Sequence, residues 1–260
     1  MTLSGQPILR VQNLEKRYGA LVGCQDVSFE LWPGEVLGIV GESGSGKTTL
    51  LNCLSAQLEP TAGTVAYDTR DQGLRDIHQM SEPERRLLKR TEWGIVRQNP
   101  RDGLRMTVSA GANVGERLMA LGQRHYGHIR REAAEWLHKV ELDAGRMDDA
   151  PITFSGGMQQ RVQLARNLIT QPRLVFMDEP TGGLDVSVQA RLLDLLRHLV
   201  ADLGLSAIVV THDLAVIRLL AHRLMVMRKG HVVEEGLTDQ VLDDPHHPYT
   251  QLLVASVLQP

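Results

Sequence analysis

The segment Gly41–Thr48 constrains the fold of this chain more than any other. Its residues, Gly-Glu-Ser-Gly-Ser-Gly-Lys-Thr, fit the pattern G-x-x-x-x-G-K-[ST]. The apolar run Val36–Val40 precedes it, and a helical pattern runs from Lys47 to about Leu58. Bare glycine backbone lets amides surround an anion, and a helix N-terminus attracts negative charge. We therefore predict an α/β fold with a nucleotide phosphate site, whose candidate residues are Gly41, Glu42, Ser43, Gly44, Ser45, Gly46, Lys47, Thr48 and Thr49.

The composition limits the class of protein. The chain has 260 residues, is 42% hydrophobic and carries a net charge of −3, which excludes wholesale disorder and argues against a broad nucleic-acid surface. No apolar run approaches the about 20 residues of a transmembrane helix, and Met1–Leu14 lacks the pattern of a signal peptide. Two cysteines, Cys24 and Cys53, indicate a reducing compartment. These features together predict a cytoplasmic protein.

A second feature is an apolar strand that ends in two carboxylates. Leu174–Met177 is followed by Asp178 and Glu179. In a phosphate-binding enzyme, Lys47 would reach the β- and γ-phosphates and Thr48 would ligate Mg²⁺. Asp178 then suits an outer ligand of that Mg²⁺, and Glu179 is placed to orient or deprotonate a water molecule.

The segment Phe154–Met158 opens another helix with two adjacent glycines. Ser155 is a natural N-cap, but Gly156 and Gly157 directly inside a helix are costly. Taken alone, the segment favours a flexible helix entry. Beside a phosphate-binding loop, it predicts a second anion site made from a helix N-terminus and bare backbone.

The rest of the chain gives a coarse map of structure. We predict strands at Ile8–Leu14 and Val27–Leu31, a polar surface loop over residues 68–79, and a hairpin around Lys229-Gly230. Residues 107–142 show helical patterns without a strand, which indicates an inserted helical lobe. Its predicted core consists of Leu118, Met119, Leu121, Trp136, Leu137 and Val140. A helix with one apolar face is predicted between the strands Leu174–Met177 and Ala207–Thr211, and a short helix over Pro248–Val257.

The ordered set of motifs resembles the ATP-binding-cassette ATPases over almost the whole chain. Gly41–Thr48 resembles the Walker A motif, Val175–Asp178 the Walker B strand and Ser155-Gly156-Gly157 the cassette signature. The smaller motifs are Gln98 of the Q-loop, Gly183-Leu184-Asp185 of the D-loop, the switch histidine His212, and Tyr18 as the aromatic residue that stacks on adenine.

The resemblance implies a P-loop NTPase with a central, mostly parallel sheet, an antiparallel β subdomain and an inserted helical lobe. It implies one domain over residues 1–260, with the lobe at about 107–150 and a C-terminal helical extension at 237–260. ATP and Mg²⁺ are the implied cofactors, with Thr48, Gln98 and Asp178 at the metal. Glu179, His212 and Gln98 are the implied catalytic residues.

The resemblance also implies a head-to-tail dimer. Each ATP would lie between the phosphate loop of one subunit and the signature of the other, so Ser155 and Gly157 would serve the partner's ATP. Gly156 and Asp185 are further implied ATP-binding residues. Two positions depart from the family pattern. Met158 replaces the usual glutamine of the signature, and Gly182-Gly183 stands where serine and alanine are common. These departures leave open how tightly hydrolysis is coupled to dimer closure.

Two narrower resemblances compete. The tail His246–Leu253 resembles the end of oligopeptide, dipeptide and nickel importer ATPases, and its paired histidines favour a surface turn over a metal site. Five stretches resemble the ATP-binding subunits of the bacterial carbon–phosphorus lyase machinery, namely Arg101–Arg105, Ser109–Ala120, Arg124–Gly127, Thr181–Asp185 and Leu242–Thr250. That second resemblance implies docking on the lyase core subunits G, H, I and J, through the radical-chemistry subunit J. The related ATPase subunit L is a further implied partner.

Three functions therefore remain open from the sequence. The first is an ATPase that remodels the lyase complex in phosphonate breakdown, and the second is the ATPase of a membrane importer. The third is a nucleotide-gated clamp whose slow hydrolysis is incidental. None of them requires nucleic-acid binding or direct insertion into a membrane.

Overall fold

The computed structural model describes residues 5–257, with the side chain of Val257 excluded. Residues 1–4 of the Met1–Leu14 segment lie outside this range, as do residues 258–260 of the predicted C-terminal extension. The chain divides into two compact units. Unit 1 comprises the residues up to Arg85 and those from Gly204 onward, and unit 2 comprises residues 86–203.

The strands are β1 (Leu9–Tyr18), β2 (Leu21–Leu31), β3 (Val36–Val40), β4 (Ala62–Thr69), β5 (Gly73–Asp76), β6 (Trp93–Val96), β7 (Leu174–Asp178), β8 (Ser206–Val210), β9 (Arg223–Arg228) and β10 (His231–Leu237). The α-helices are α1 (Lys47–Leu54), α2 (Glu82–Thr91), α3 (Ala110–Ala120), α4 (Tyr126–Lys139), α5 (Gly156–Leu168), α6 (Val186–Leu203), α7 (Leu214–Leu220), α8 (Thr238–Asp243) and α9 (Pro248–Val257). Short 3₁₀ turns occupy Pro100–Asp102, Ala144–Arg146 and Pro151–Thr153.

Unit 1 is built on parallel strands and a separate antiparallel sheet. Strand β3 pairs in parallel with β8 and with β9, and β10 pairs antiparallel with β9. Every residue of β3 and β8 is buried, which explains their unbroken apolar sequences. The antiparallel sheet has the strand order β2-β1-β4-β5.

Unit 2 contains the parallel pair β6–β7 and the helices α3, α4, α5 and α6. Trp93 of β6 aligns with Leu174 of β7 and packs edge-to-face on Phe176, with ring centroids 5.4 Å apart. Residues 107–150, all of which are described, contain α3, α4 and a 3₁₀ turn but no strand. The expected α/β class, with parallel strands, an antiparallel sheet and a helical stretch, is confirmed.

Residues 68–79 do not form the predicted surface loop. Strand β4 runs to Thr69, and Gly73–Asp76 returns beside it as β5, with Tyr67 opposite Arg75. Gly73 has φ +68°, which lets the chain turn tightly between the two strands. Because β5 lies at the edge of its sheet and stays half-exposed, its polar residues cost little there.

Three further predictions are inexact. Helix α1 ends at Leu54 rather than near Leu58, because Ala56 adopts a left-handed φ of +51°. Strands β1 and β2 are longer than predicted and meet in a hairpin at Tyr18 and Leu21. Met119 and Leu121 are 52% and 41% exposed, so both are wrong as core residues.

The other predicted core and hairpin assignments are confirmed. Leu118, Trp136, Leu137 and Val140 are buried in unit 2. Strands β9 and β10 form the hairpin around Lys229-Gly230, and α9 spans the predicted Pro248–Val257. The apolar face of α6, predicted from residues spaced by three and four, is confirmed in part. Leu192, Leu195 and Leu199 are buried, whereas Val188 and Leu203 are only partly buried.

Candidate nucleotide site

The loop Gly41–Gly46 connects β3 to α1, as the sequence predicts. Its two outer glycines are required by packing. Gly41 has φ +152°, and a β-carbon there would collide with the main-chain oxygen of Met227. Gly46 has φ +105°, and a β-carbon there would collide with the carbonyl oxygen of Gly23. The middle glycine, Gly44, has φ +81°, and a β-carbon added to it would meet no described atom within 4 Å.

Lys47 folds back over this loop. Its Nζ donates hydrogen bonds to the carbonyl oxygens of Gly41 at 2.7 Å and Glu42 at 2.9 Å, and the residue is only 7% exposed. The ammonium group is therefore held at the loop itself, where an incoming phosphate would meet it.

The start of α1 suits an anionic ligand. Gly46 is the N-cap and supplies no side-chain hydrogen bond to the first turn. The buried hydroxyl of Ser45 has no hydrogen-bond partner among the described residues. An uncapped helix N-terminus and an unpartnered hydroxyl beside a lysine fit the phosphates of a nucleotide. Thr48, the candidate metal ligand, is exposed at the second position of α1, whereas Thr49 is half-buried.

Two other candidates of unit 1 lie at the ends of strands. Tyr18, the last residue of β1, is 48% exposed, and the Nζ of Lys16 lies 5.4 Å from its ring centroid. A partly open ring beside a cation is suited to stacking on a base. His212 is exposed just after β8, between buried Thr211 and Asp213, whose carboxylate caps α7.

In unit 2, Glu179 follows β7 in a strained backbone conformation. Its φ is +44°, a region that non-glycine residues rarely adopt, while Asp178 ends the strand. The carbonyl oxygen of Glu179 accepts a hydrogen bond from the amide of Gly182 at 2.9 Å. A β-carbon on Gly182 would lie 3.2 Å from that oxygen and 3.5 Å from Nε2 of Gln98. The structure therefore brings Gln98 and Glu179 to the same glycine.

The signature segment forms the predicted helix start. Ser155 caps α5, its hydroxyl accepting a hydrogen bond from the Met158 amide at 3.4 Å. Ser155 and Gly156 are exposed, whereas Gly157 is buried, and a β-carbon on Gly157 would lie 2.5 Å from Cγ1 of Val188. Gly157 is thus small because α6 packs closely on it. Asp185, just before α6, is exposed.

Sequence reasoning missed two glutamines of α5. Nε2 of Gln160 donates to the carbonyl oxygen of Pro180 at 2.9 Å, and Nε2 of Gln163 donates to that of Arg97 at 3.3 Å. The amide of Arg97 in turn donates to Oε1 of Gln163. The signature helix is therefore tied directly to the segments that carry Gln98 and Glu179. The sequence did not indicate these contacts, because a polar residue in a helix is usually exposed to solvent and not buried against another segment.

The paired histidines of the tail form a turn, as predicted. The backbone amides of His246 and His247 donate to the carboxylate of Glu234 at 2.8 and 3.0 Å. Residues 5–257 contain no cluster of three or more histidine, cysteine, aspartate or glutamate residues able to hold a metal. Cys24 and Cys53 are buried free thiols. Across the same residues, no helix combines the length and apolar character needed to cross a membrane.

Residues 24–182 match the profile of a protein family described as ABC transporter. Among curated proteins, PhnK of Escherichia coli (strain K12), named as a phosphonates utilization ATP-binding protein, is 67% identical over 98% of this chain and 99% of its own length. The dipeptide transport ATP-binding protein DppF of the same organism is 37% identical, over 96% of this chain and 76% of its own length.

Solved structures agree in fold. The ATP-binding cassette MJ0796, in a dimeric post-hydrolysis state bound to ADP and Pi, superposes with a TM-score of 0.79 at 30% identity. That match covers 88% of this chain and 98% of the other. CbiO1 from Clostridium perfringens, part of the ABC transporter complex cbiONQ, superposes with a TM-score of 0.80 at 26% identity, and the match covers 92% of both chains.

Proposed function

We propose that this chain, which belongs to the ATP-binding-cassette family of ATPases, is the K-type ATP-binding subunit of a carbon–phosphorus lyase complex. Its ATP hydrolysis would drive phosphonate breakdown by that complex. As a member of that family, the chain binds and hydrolyses ATP. The lyase context is the proposed part. We further propose that the protein acts in the cytoplasm and that residues 1–260 form one cassette domain, with a helical lobe at about 107–150.

The observation that carries this proposal is the extent of its similarity to PhnK. The 67% identity extends over nearly the full length of both chains. The dipeptide transport relative supports an importer ATPase as the second candidate, but it is only 37% identical to this chain.

For nucleotide binding, we assign the phosphates to the loop Gly41–Gly46 and to Lys47. The lysine would exchange its present carbonyl partners for the β- and γ-phosphates, a replacement of neutral acceptors by charged ones. Tyr18 would stack on the adenine. Mg²⁺, when bound, would supply positive charge that neutralises the charge developing on the phosphates. The residues suited to hold it are Thr48, Asp178 and Gln98.

For hydrolysis, we assign Glu179 to orient or deprotonate the attacking water and His212 to contact the γ-phosphate. The strained backbone of Glu179 supports this role, because such strain persists only where the surroundings enforce it and is common at active sites. Gln98 would contact the metal, and the hydrogen bonds between the neighbouring Arg97 and Gln163 would link it to the signature helix.

For assembly, we propose a head-to-tail dimer closed by ATP. Ser155, Gly156 and Gly157 would contact the partner's nucleotide, with Asp185 beside it at the seam. Ser155 and Gly156 are exposed at the N-terminus of α5, where unpaired backbone amides can bind an anion, and this exposure supports the assignment. The dimer would dock on the lyase core of subunits G, H, I and J, through J, with the ATPase subunit L as a further partner.

Affinity purification separates the lyase and importer proposals. The tagged full-length chain would be expressed in a bacterium growing on an alkylphosphonate, and proteins recovered with it identified by mass spectrometry. Recovery of the soluble lyase core supports the proposal. Recovery of an integral membrane protein in its place would transfer the chain to the importer class.

Growth on an alkylphosphonate as sole phosphorus source tests whether hydrolysis itself is needed. With hydrolysis driving the lyase complex, both Lys47→Ala and Glu179→Gln should abolish growth. Normal growth with Glu179→Gln, and none with Lys47→Ala, would instead identify a nucleotide-gated clamp.

A further inference from the structure

The C-terminal helix contacts the phosphate-binding loop directly. The backbone amide of Glu42, the second residue of the loop, donates a hydrogen bond to the hydroxyl oxygen of Tyr249 at 2.9 Å. Tyr249 is the second residue of α9 and is 3% exposed, although Glu42 is exposed. A hydroxyl from the far end of the chain therefore satisfies a main-chain donor of the loop.

Tyr249 is itself held in place. The guanidinium carbon of Arg228, the last residue of β9, lies 4.8 Å from the centroid of its ring. Its backbone amide donates to Nδ1 of His247 at 3.1 Å. With one contact on the ring and one on the backbone, the hydroxyl has little freedom to leave Glu42.

The β9–β10 hairpin supports both the loop and the tail. At its turn, the amide of Gly230 donates to the carbonyl oxygen of Ser45 in the loop at 2.9 Å. On β10, the carboxylate of Glu234 accepts the amides of His246 and His247 just before α9. The loop is thus tied at Ser45 directly and at Glu42 through Tyr249.

We propose that Tyr249 is a positioning residue for ATP binding, which acts by fixing the peptide of Glu42. The carbonyl oxygens of Gly41 and Glu42 accept hydrogen bonds from Nζ of Lys47. The orientation of these peptides therefore determines the position of the ammonium group before ATP binds. A loop already ordered before the nucleotide arrives loses less conformational entropy on binding. The inference rests on the proposed ATP site at Lys47.

The test uses Tyr249→Phe, which removes the acceptor oxygen and keeps the ring over Arg228. The loss of one hydrogen bond to the loop should raise the Kd and the KM for Mg-ATP by about three- to tenfold. The kcat should stay within about twofold, because the loop would be ordered again once ATP is bound. Tyr67→Phe is the matched control, since Tyr67 is also buried in unit 1 and lies on β4.

Calorimetric titration with Mg-ATP and steady-state phosphate release measure these constants on the full-length protein. Wild-type affinity in Tyr249→Phe would overturn the inference. So would an equal weakening in Tyr67→Phe, or a fall in kcat at constant KM. Tyr249→Leu, which also removes the ring, should weaken ATP binding at least as much and lower the Tm further. Failure of the ATP site itself gives a different result, namely no difference between wild type and Lys47→Ala.

Discussion

The carbonyl oxygen of Gly23 occupies the space in which a β-carbon of Gly46 would lie. Gly23 belongs to β2 and Gly46 is the N-cap of α1, so the phosphate-binding loop packs backbone to backbone on the antiparallel sheet. The glycine of the G-K-T sequence is therefore fixed by this packing as well as by its positive φ.

Gly46→Ala should destabilise the protein by more than left-handed strain alone. The strain is of order 1–2 kcal/mol, and the displaced backbone of Gly23 adds to it. Gly122→Ala is the matched control, because Gly122 has φ +92° with nothing within 4 Å of a β-carbon. Denaturant unfolding should show a clearly greater loss for Gly46→Ala, with ATP binding abolished only there. Equal losses in the two variants would contradict the packing requirement.

Glu179→Gln should lower the rate of ATP hydrolysis by about 100-fold or more, the usual contribution of a general base, while ATP binding is retained. The ATP-bound dimer should then persist in size-exclusion chromatography. Glu141→Gln is the control, since Glu141 also has a positive φ, of +55°, and receives the same chemical change. Normal phosphate release by Glu179→Gln would show that another group activates the water.

The two D-loop glycines should differ in what their substitution impairs. A β-carbon on Gly182 would lie 3.3 Å from Cβ of Glu179, so Gly182→Ala should lower kcat several-fold. Gly183 has φ +73° and open space around it, so Gly183→Ala should mainly lower stability, by about 1 kcal/mol. Phosphate release and thermal unfolding, both measured on both variants, check whether Gly182→Ala mainly lowers kcat and Gly183→Ala mainly lowers stability. If Gly183→Ala slowed hydrolysis more than Gly182→Ala, the assigned contact with Glu179 would be wrong.

Stability should depend on pH through His78. Burial lowers the pKa of this side chain, whose Nε2 lies 2.9 Å from the carbonyl oxygen of Cys53 at the end of α1. With the folded pKa below the ordinary value of about 6.5, the unfolded chain binds more protons between the two values, so this contribution to stability falls as the pH drops below about 6.5. Tm measured from pH 7.5 to 5.5 should decline less in His78→Asn than in wild type. Identical slopes would exclude His78 as the source.

Much of the candidate site could be predicted because its signals are local. The phosphate loop combines glycines, a lysine and an adjacent apolar strand within a short segment, and these features determine its conformation together. The same holds for the two glycines after Ser155. The composition of these segments was enough to predict where each helix begins, but it did not predict the close contacts of Gly41 and Gly46 with backbone distant in sequence.

The parts that could not be predicted depend on neighbours distant in sequence. Tyr249 contacts Glu42 across almost the whole chain, and no periodicity encodes that pairing. Within the predicted loop, Gly73–Asp76 forms a strand because β4 offers an open edge for pairing, despite the polar composition of this stretch. The prediction of Met119 as a core residue is wrong because an apolar residue next to buried Leu118 lies on a different side of the helix, which only the packing of α3 decides.

Because Glu179 has a left-handed backbone conformation, a substitution at this position can raise thermal stability while it lowers the rate of ATP hydrolysis. Glycine and asparagine adopt such a φ more readily than glutamate, so replacing Glu179 with either should relieve of order 1 kcal/mol of strain. Selection of variants for heat resistance alone would therefore favour the loss of the carboxylate to which hydrolysis is assigned. Any stabilised form of this protein obtained without an activity screen should be sequenced first at position 179.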